Sequence, residues 1–403
     1  MKQIPEAGVS RQEIEERLEA LKSKDIDWRA GRLGVYVFHP GDDVLEVGKR
    51  AYAAFHTENG LGKASAFPSL QTMYDEVLEM GASLFQAPEG WGGEMTSGGT
   101  ESIFLAVQSC RDWTRQQGSS ADEILLAQSA HPAFDKAAGY LGLRVKRLPV
   151  REDYRADVDQ FAAAASKETM MIVGSAPNYP YGLVDPIIEL SDLALERGLW
   201  LHVDACVGGY FLPWARANGH EIPAFDFSVP GVRSISADLH KYGFAPKAAS
   251  TLFQRSAEQH AAQAFDFDDW PCGRMTTHTA AGTRPGGAIA GAWAVLQYLG
   301  AEGYRERARQ IATAHAGFGE AGRAVGLEPM PSDLPILVLE TGKGLGRVWR
   351  GLRDEGWFTG VVTTPAGLHL MVQPKHPQLV EDFSAALERA PEGTREGAAP
   401  RYA

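Results

Sequence analysis

The chain has 403 residues, enough for one large domain and a smaller one. Hydrophobic residues make up 44% and charged residues 22%, an ordinary globular balance. The formal net charge of −12 argues against the basic face a nucleic-acid partner needs, so an anionic ligand has to be held by a few local cations.

Cys110, Cys206 and Cys272 form no CxxC pair and no Cys/His cluster, so neither a metal site nor a disulfide framework is indicated. The opening segment MKQIPEAGVSRQEIEERLEALKSK is charged throughout and lacks the apolar core of a secretory signal. The apolar stretch around Ile289–Leu299 is about half the length of a membrane span. The expectation is a cytoplasmic protein with no membrane partner.

Ser10 and Glu13 are spaced as a capping box, and Ile14, Leu18 and Leu21 follow at helical spacing. A short amphipathic helix is expected there, with Trp28 anchoring its end. Residues 30–43 read as a loop. Residues 67–86 read as a helix with Leu70, Met73, Val77, Met80 and Leu84 on one side. A helix over 100–117 precedes short apolar runs at Glu123–Ala127, Leu143–Pro149, Met170–Gly174, Leu199–Val203, Arg233–Ser236 and Ser250–Phe253. Short buried strands separated by helical or loop material predict an α/β fold around a mainly parallel sheet. A long helix over 286–315 leads to strands at Ile336–Leu339, Thr359–Thr363 and Leu368–Val372, a small C-terminal α/β domain. The expected division is an N-terminal segment over 1–55, a large domain over 56–290, the linking helix and small domain over 291–390, and a disordered Gly/Pro-rich tail over 391–403.

Four motifs carry chemistry. In Ser-Ala-Asp238-Leu-His240-Lys241-Tyr-Gly-Phe-Ala-Pro-Lys247, Lys241 follows a strand, where α/β folds build their sites. In Leu-His-Val-Asp204-Ala-Cys206, Asp204 ends an apolar strand. A carboxylate there needs a partner. A protonated pyridine nitrogen would be one; a structural cap before the Gly208-Gly209 turn is the other reading. Thr96-Ser-Gly-Gly99-Thr100-Glu-Ser opens a helix whose amides suit a phosphate, although such a stretch is also a common loop and cap. His131 could stack on an aromatic cofactor or serve as an ordinary hydrogen-bonding residue.

In this order the motifs resemble the fold type I pyridoxal-phosphate enzymes of the group II decarboxylase family, and within it more specifically the sphingosine-1-phosphate lyases. The similarity also takes in Gly174-Ser-Ala-Pro177 and Ala281-Gly-Thr-Arg284-Pro-Gly286. The resemblance implies roles. Lys241 would carry pyridoxal 5′-phosphate as a Schiff base and move protons. Asp204 would pair with the ring nitrogen, His131 would stack on one ring face, and Cys206 would lie near the other. Gly99, Thr100 and His240 would contact the phosphate, and Ser175 the ring hydroxyl. Thr277 would reach the phosphate of a neighbouring subunit in a homodimer. Lys247 would face the amino substrate and assist proton transfer or phosphate binding.

The chain also departs from those lyases: Phe38 stands where an active-site tyrosine is expected, and Leu61-Gly62-Lys63 lacks a histidine. The expected reaction is retro-aldol cleavage of a β-hydroxy amine, phosphorylated or not. The losses point to a small anionic substrate, not a long-chain lipid, held with help from Lys247, Lys63 or Arg284. The alternatives are an α-amino-acid decarboxylase and a catalytically silent paralogue acting as a scaffold.

Overall fold

The computed structural model describes residues 1–390, so the tail expected to be disordered lies outside the described residues. Ser10 caps α1 (Arg11–Lys22) by accepting the Glu13 amide at 3.1 Å. Only half of the capping box forms, because the Glu13 carboxylate pairs with Arg17. No residue of α1 is buried, and Ile14, Leu18 and Leu21 face solvent. The Trp28 ring tilts over His39 at 5.6 Å.

Helix α2 (Asp42–Ala54) has no counterpart in the expected elements. Gly48 breaks its pattern, and packing explains the glycine: a Cβ there would lie 3.2 Å from Pro246 and from Val295. Helix α3 (Pro68–Leu84) follows, with Leu70, Met73 and Val77 buried as its spacing predicts.

The main sheet is built from β1 (Gly92–Thr96), β2 (Glu123–Ala127), β3 (Arg144–Leu148), β4 (Thr169–Ser175), β5 (Trp200–Asp204), β6 (Val232–Ala237) and β7 (Ser250–Gln254). Its order is β1-β7-β6-β5-β4-β2-β3. Only β7 runs against its neighbours, so the sheet is mainly parallel, as expected. Helices α4 (Gly99–Gln116), α5 (Ala133–Leu141), α6 (Val158–Ala164), α7 (Ile187–Arg197), α8 (Leu212–Ala217) and α9 (Ala257–Ala261) connect and cover it. Strands β4 and β5 are buried at every residue, as covered parallel strands are. The register sets Ser175 beside Asp204 and Asp204 beside Ser236, so three strands deliver polar groups to one line at the sheet's carboxyl edge.

A hairpin of β8 (Phe265–Phe267) and β9 (Met275–Thr277) projects from this body with Phe265, Phe267 and Trp270 exposed. Then α10 (Gly286–Ala324) runs beyond its expected end at residue 315 and is two helices meeting at Gly300, whose φ of 53° is left-handed. A second sheet, order β10-β11-β13-β12 and antiparallel throughout, consists of β10 (Glu328–Pro329), β11 (Ile336–Glu340), β12 (Gly360–Thr363) and β13 (Ala366–Met371). Helices α11 (Leu345–Asp354) and α12 (Val380–Arg389) accompany it. The N-terminal segment joins this end: Gly34 donates to the Phe358 carbonyl and accepts from the Met371 amide, each at 2.8 Å.

The loop after β4 is pinned by Asp185, 1% exposed, which accepts the Ala156 amide at 2.9 Å and the Ser175 amide at 2.8 Å. Burial raises its pKa to about 6, while the two amide donors oppose that shift. Asp185→Asn sets an NH2 group against one of these N–H groups and leaves it unpaired. The variant is expected to lose about 1–3 kcal/mol in a urea titration with an unchanged slope. Unchanged stability would mean that another group secures the loop.

Candidate active site

The carboxyl ends of β4, β5 and β6 and the first turn of α4 enclose a cavity of about 590 Å³. It is lined by Gly99, Thr100, His131, Ser175, Asp204, Cys206, His240, Lys241 and Lys247, which the sequence distributes over almost 150 positions. Thr277 is the expected site residue that does not line it. Its hydroxyl lies 3.3 Å from that of Thr279 on the hairpin side.

Lys241 is on the loop after β6, with Nζ 2.9 Å from Asp238 Oδ2. Burial disfavours the ammonium, but the adjacent Asp238 carboxylate more than offsets this and the net shift is upward. Asp204 is 7% exposed, and its Oδ1 accepts the Cys206 amide at 3.1 Å and the Ser236 hydroxyl at 3.4 Å. One oxygen therefore caps the turn, as the structural reading expects, and the side chain also lines the cavity. Behind it His202, fully buried, has its ring nitrogens 2.7 Å from Ser234 Oγ and 3.2 Å from Ser236 Oγ. Burial lowers the His202 pKa to about 4, so the ring is neutral at pH 7.

His131 Nδ1 accepts the Ala133 amide at 3.2 Å, which places the proton of the neutral ring on Nε2. Burial lowers its pKa. Burial raises that of Cys206, with Asp204 and Asp238 adding to the shift, so the thiol stays protonated. Gly99 admits no side chain. A Cβ there would lie 2.8 Å from Cys206 Sγ and 3.0 Å from both Asp238 oxygens. Glycine thus lets the N-terminus of an 18-residue helix close on the cavity, where its dipole favours an anion.

At the mouth, Lys247 Nζ donates to the Tyr36 carbonyl at 2.9 Å. Its side chain is largely exposed, but partial shielding of the amine and the charge of Lys241 lower its pKa. Phe38 lines the cavity and packs edge-on against Tyr242 at 4.9 Å. Tyr36, which the motifs did not single out, also lines it, so a phenol remains near the position where one is lost. Lys63 and Arg284 do not line this cavity, contrary to the expectation that they help hold the substrate's anionic group. Lys63 Nζ sits 4.4 Å over the Tyr74 ring, and Arg284 Nη1 is 3.6 Å from the buried Glu94. The missed site residues have modest signals: Asp238 lies three positions before Lys241, whereas nothing local marks Tyr36 or Met371.

Among the described residues no group of His, Cys, Asp and Glu could hold a metal, and no helix is long and apolar enough to cross a membrane.

Residues 57–324 match the pyridoxal-dependent decarboxylase conserved domain. The chain is 38% identical to a sphingosine-1-phosphate lyase of Oryza sativa subsp. japonica over 94% of its own length and 72% of the relative's. It is 34% identical to a probable L-aspartate decarboxylase of Pyrococcus abyssi, covering 95% of this chain and 98% of that one. The solved sphingosine-1-phosphate lyase Bpss2021 of Burkholderia pseudomallei superimposes with a TM-score of 0.92 at 35% identity, covering 98% of this chain and 93% of that chain. The cavity fits the cofactor this implies: it offers a lysine amine, an Asp204 oxygen not taken by the turn, and a glycine-lined helix N-terminus for phosphate. The chain belongs to the pyridoxal-dependent decarboxylase family and is a pyridoxal-phosphate-dependent lyase.

Proposed function

We propose that the enzyme cleaves the carbon–carbon bond of a small β-hydroxy amine with an anionic head group, by a retro-aldol reaction. The observation that carries this reading is Lys247, a second lysine in the cavity of Lys241, with its pKa lowered by shielding. A retro-aldol step needs a base for the β-hydroxyl proton; loss of carbon dioxide does not. Similarity to the sphingosine-1-phosphate lyases supports the same class. A cavity of about 590 Å³ must hold cofactor and substrate together, which favours a compact substrate. A second reading, an α-amino-acid decarboxylase, is favoured by the full-length similarity to the probable L-aspartate decarboxylase. The scaffold alternative falls with the assignment as a lyase.

Bound pyridoxal phosphate supplies the sink for the electron pair freed when the bond breaks. Lys241 holds the cofactor. Asp204 Oδ2 would hold a proton at the cofactor's ring nitrogen, since Oδ1 is taken by the Cys206 amide and the Ser236 hydroxyl. His131 and Cys206, which line the cavity, would flank the ring of the bound cofactor. The α4 N-terminus at Gly99 and Thr100, with His240, would receive the phosphate, and Ser175 the ring hydroxyl. Lys247 Nζ takes the β-hydroxyl proton as the aldehyde departs, and Lys241 Nζ returns a proton to the remaining carbon. The N-terminal segment, the large domain from residue 56 to 290 and the small domain that follows are the units of this design.

We also propose a cytoplasmic homodimer. The exposed Ile14, Leu18 and Leu21 and the exposed Phe265, Phe267 and Trp270 are apolar surfaces suited to a second copy. Thr277 lies on the second of these surfaces, outside its own chain's cavity, which suits a contribution to the neighbour's.

Three outcomes are expected. Incubated with phosphorylated β-hydroxy amines of short and long chain and with aspartate and glutamate, the enzyme should release aldehyde from the short ones. Carbon dioxide would establish the decarboxylase reading. A long-chain aldehyde formed at about 10⁴ M⁻¹s⁻¹ or more would restore the lipid substrate. Borohydride reduction and peptide mapping should place the pyridoxyl group on Lys241, and a label on Lys247 or Lys136 would overturn that assignment. In light scattering with parallel assays, activity should vanish as the dimer dissociates; a fully active monomer would refute shared sites.

A further inference from the structure

Asp238 ends β6 and is 2% exposed. Its Oδ2 lies 2.9 Å from Lys241 Nζ and 3.7 Å from His240 Nε2. Its Oδ1 is buried, and the nearby Lys241 and His240 charges and the Ser250 hydroxyl favour the carboxylate. The carboxylate is pressed against the α4 N-terminus, since a Cβ on Gly99 would come within 3.0 Å of both its oxygens. A buried carboxylate is costly unless its charge is matched, and here Lys241 matches it. The structure keeps it on the lysine that the proposed reaction ties to the cofactor.

Six ionisable groups face Lys241: Asp238, Asp204, Cys206, His131, His240 and Lys247. Among the described residues only Asp238 forms an ion pair with it. Burial by itself would drive the lysine towards the neutral amine, and Lys247 adds a like charge that works the same way.

We propose that Asp238 is a positioning residue that acts through Lys241, holding its ε-amino group as the ammonium, aimed into the cavity, whenever that group is free of the cofactor. The inference rests on the reading of Lys241 as the lysine that carries the cofactor. Its consequence is a proton donor in place at the end of the cleavage. A proton leaves Nζ for the substrate carbon, the electron pair of the broken bond becomes the new C–H bond, and Nζ remains a neutral amine. Asp238 then favours its reprotonation from water that enters as the product leaves. Loading of free cofactor has the opposite requirement, because only the neutral amine attacks an aldehyde. Asp238 should therefore slow loading while it favours proton return.

The test uses cofactor-free enzyme. Labelling of Lys241 by a small acylating reagent across pH, read by mass spectrometry, gives its titration midpoint without turnover. In the wild type the midpoint should lie above that of an ordinary lysine, about 10.4. A midpoint at or below that value would overturn the proposal without any variant. Asp238→Asn keeps the shape and removes the charge. It should lower the midpoint by at least about one unit and speed loading of pyridoxal phosphate near pH 7 about tenfold. Asp238→Glu keeps the charge and should keep the wild-type direction. An Asp238→Asn midpoint and loading rate equal to the wild type would overturn the proposal. Borohydride labelling of a lysine other than Lys241 in the holoenzyme would instead overturn the cofactor assignment, so the two failures are distinguishable.

Discussion

Three charged groups, Asp204, Asp238 and Lys241, meet at the carboxyl ends of β5 and β6, two of them almost fully withdrawn from water. Isolated charges in such a place would be destabilising by several kcal/mol each. The surrounding structure is arranged to prevent isolation. The strand register places the Ser236 hydroxyl against Asp204, a neutral His202 backs that serine, and the ion pair ties Lys241 to Asp238. Gly99 admits the α4 N-terminus to the same spot, and Asp185 fixes the loop that forms the next wall. Chemistry that needs buried charge thus dictates the sheet's polar edge, and the buried strands beneath hold that edge still.

Much of this was legible in the sequence because parallel strands covered on both faces read as short apolar runs. Six of those runs fall on strands of the main sheet, and the residues that follow β5 and β6 are the ones that line the cavity. Legibility failed where the packing partner is distant. Gly48 disguises α2 because its reason lies in Pro246 and Val295. Strand β1, Gly-Gly-Glu-Met-Thr, has poor strand propensity and exists by antiparallel pairing with β7. Lys63 and Arg284 lie beside the motifs in sequence but turn towards Tyr74 and Glu94, where a buried carboxylate attracts positive charge.

Three further residues that line the cavity lie outside the contiguous motifs. Tyr36, Phe38 and Met371 come from the two ends of the described chain, while the elements that would hold the cofactor come from its middle. The expected site residues that line the cavity are therefore written densely between residues 99 and 247, and the rest of its lining sparsely elsewhere.

The hydrogen bonds that join Gly34 to Phe358 and Met371 have a consequence for the order of assembly. The early segment bearing Tyr36 and Phe38 cannot find its place until the chain has been made as far as β13. During synthesis the strands of the main sheet have all been made before the contacts that seat this segment can form. The wall of the cavity at Tyr36 and Phe38 is therefore seated by contacts from the last part of the described chain to be made.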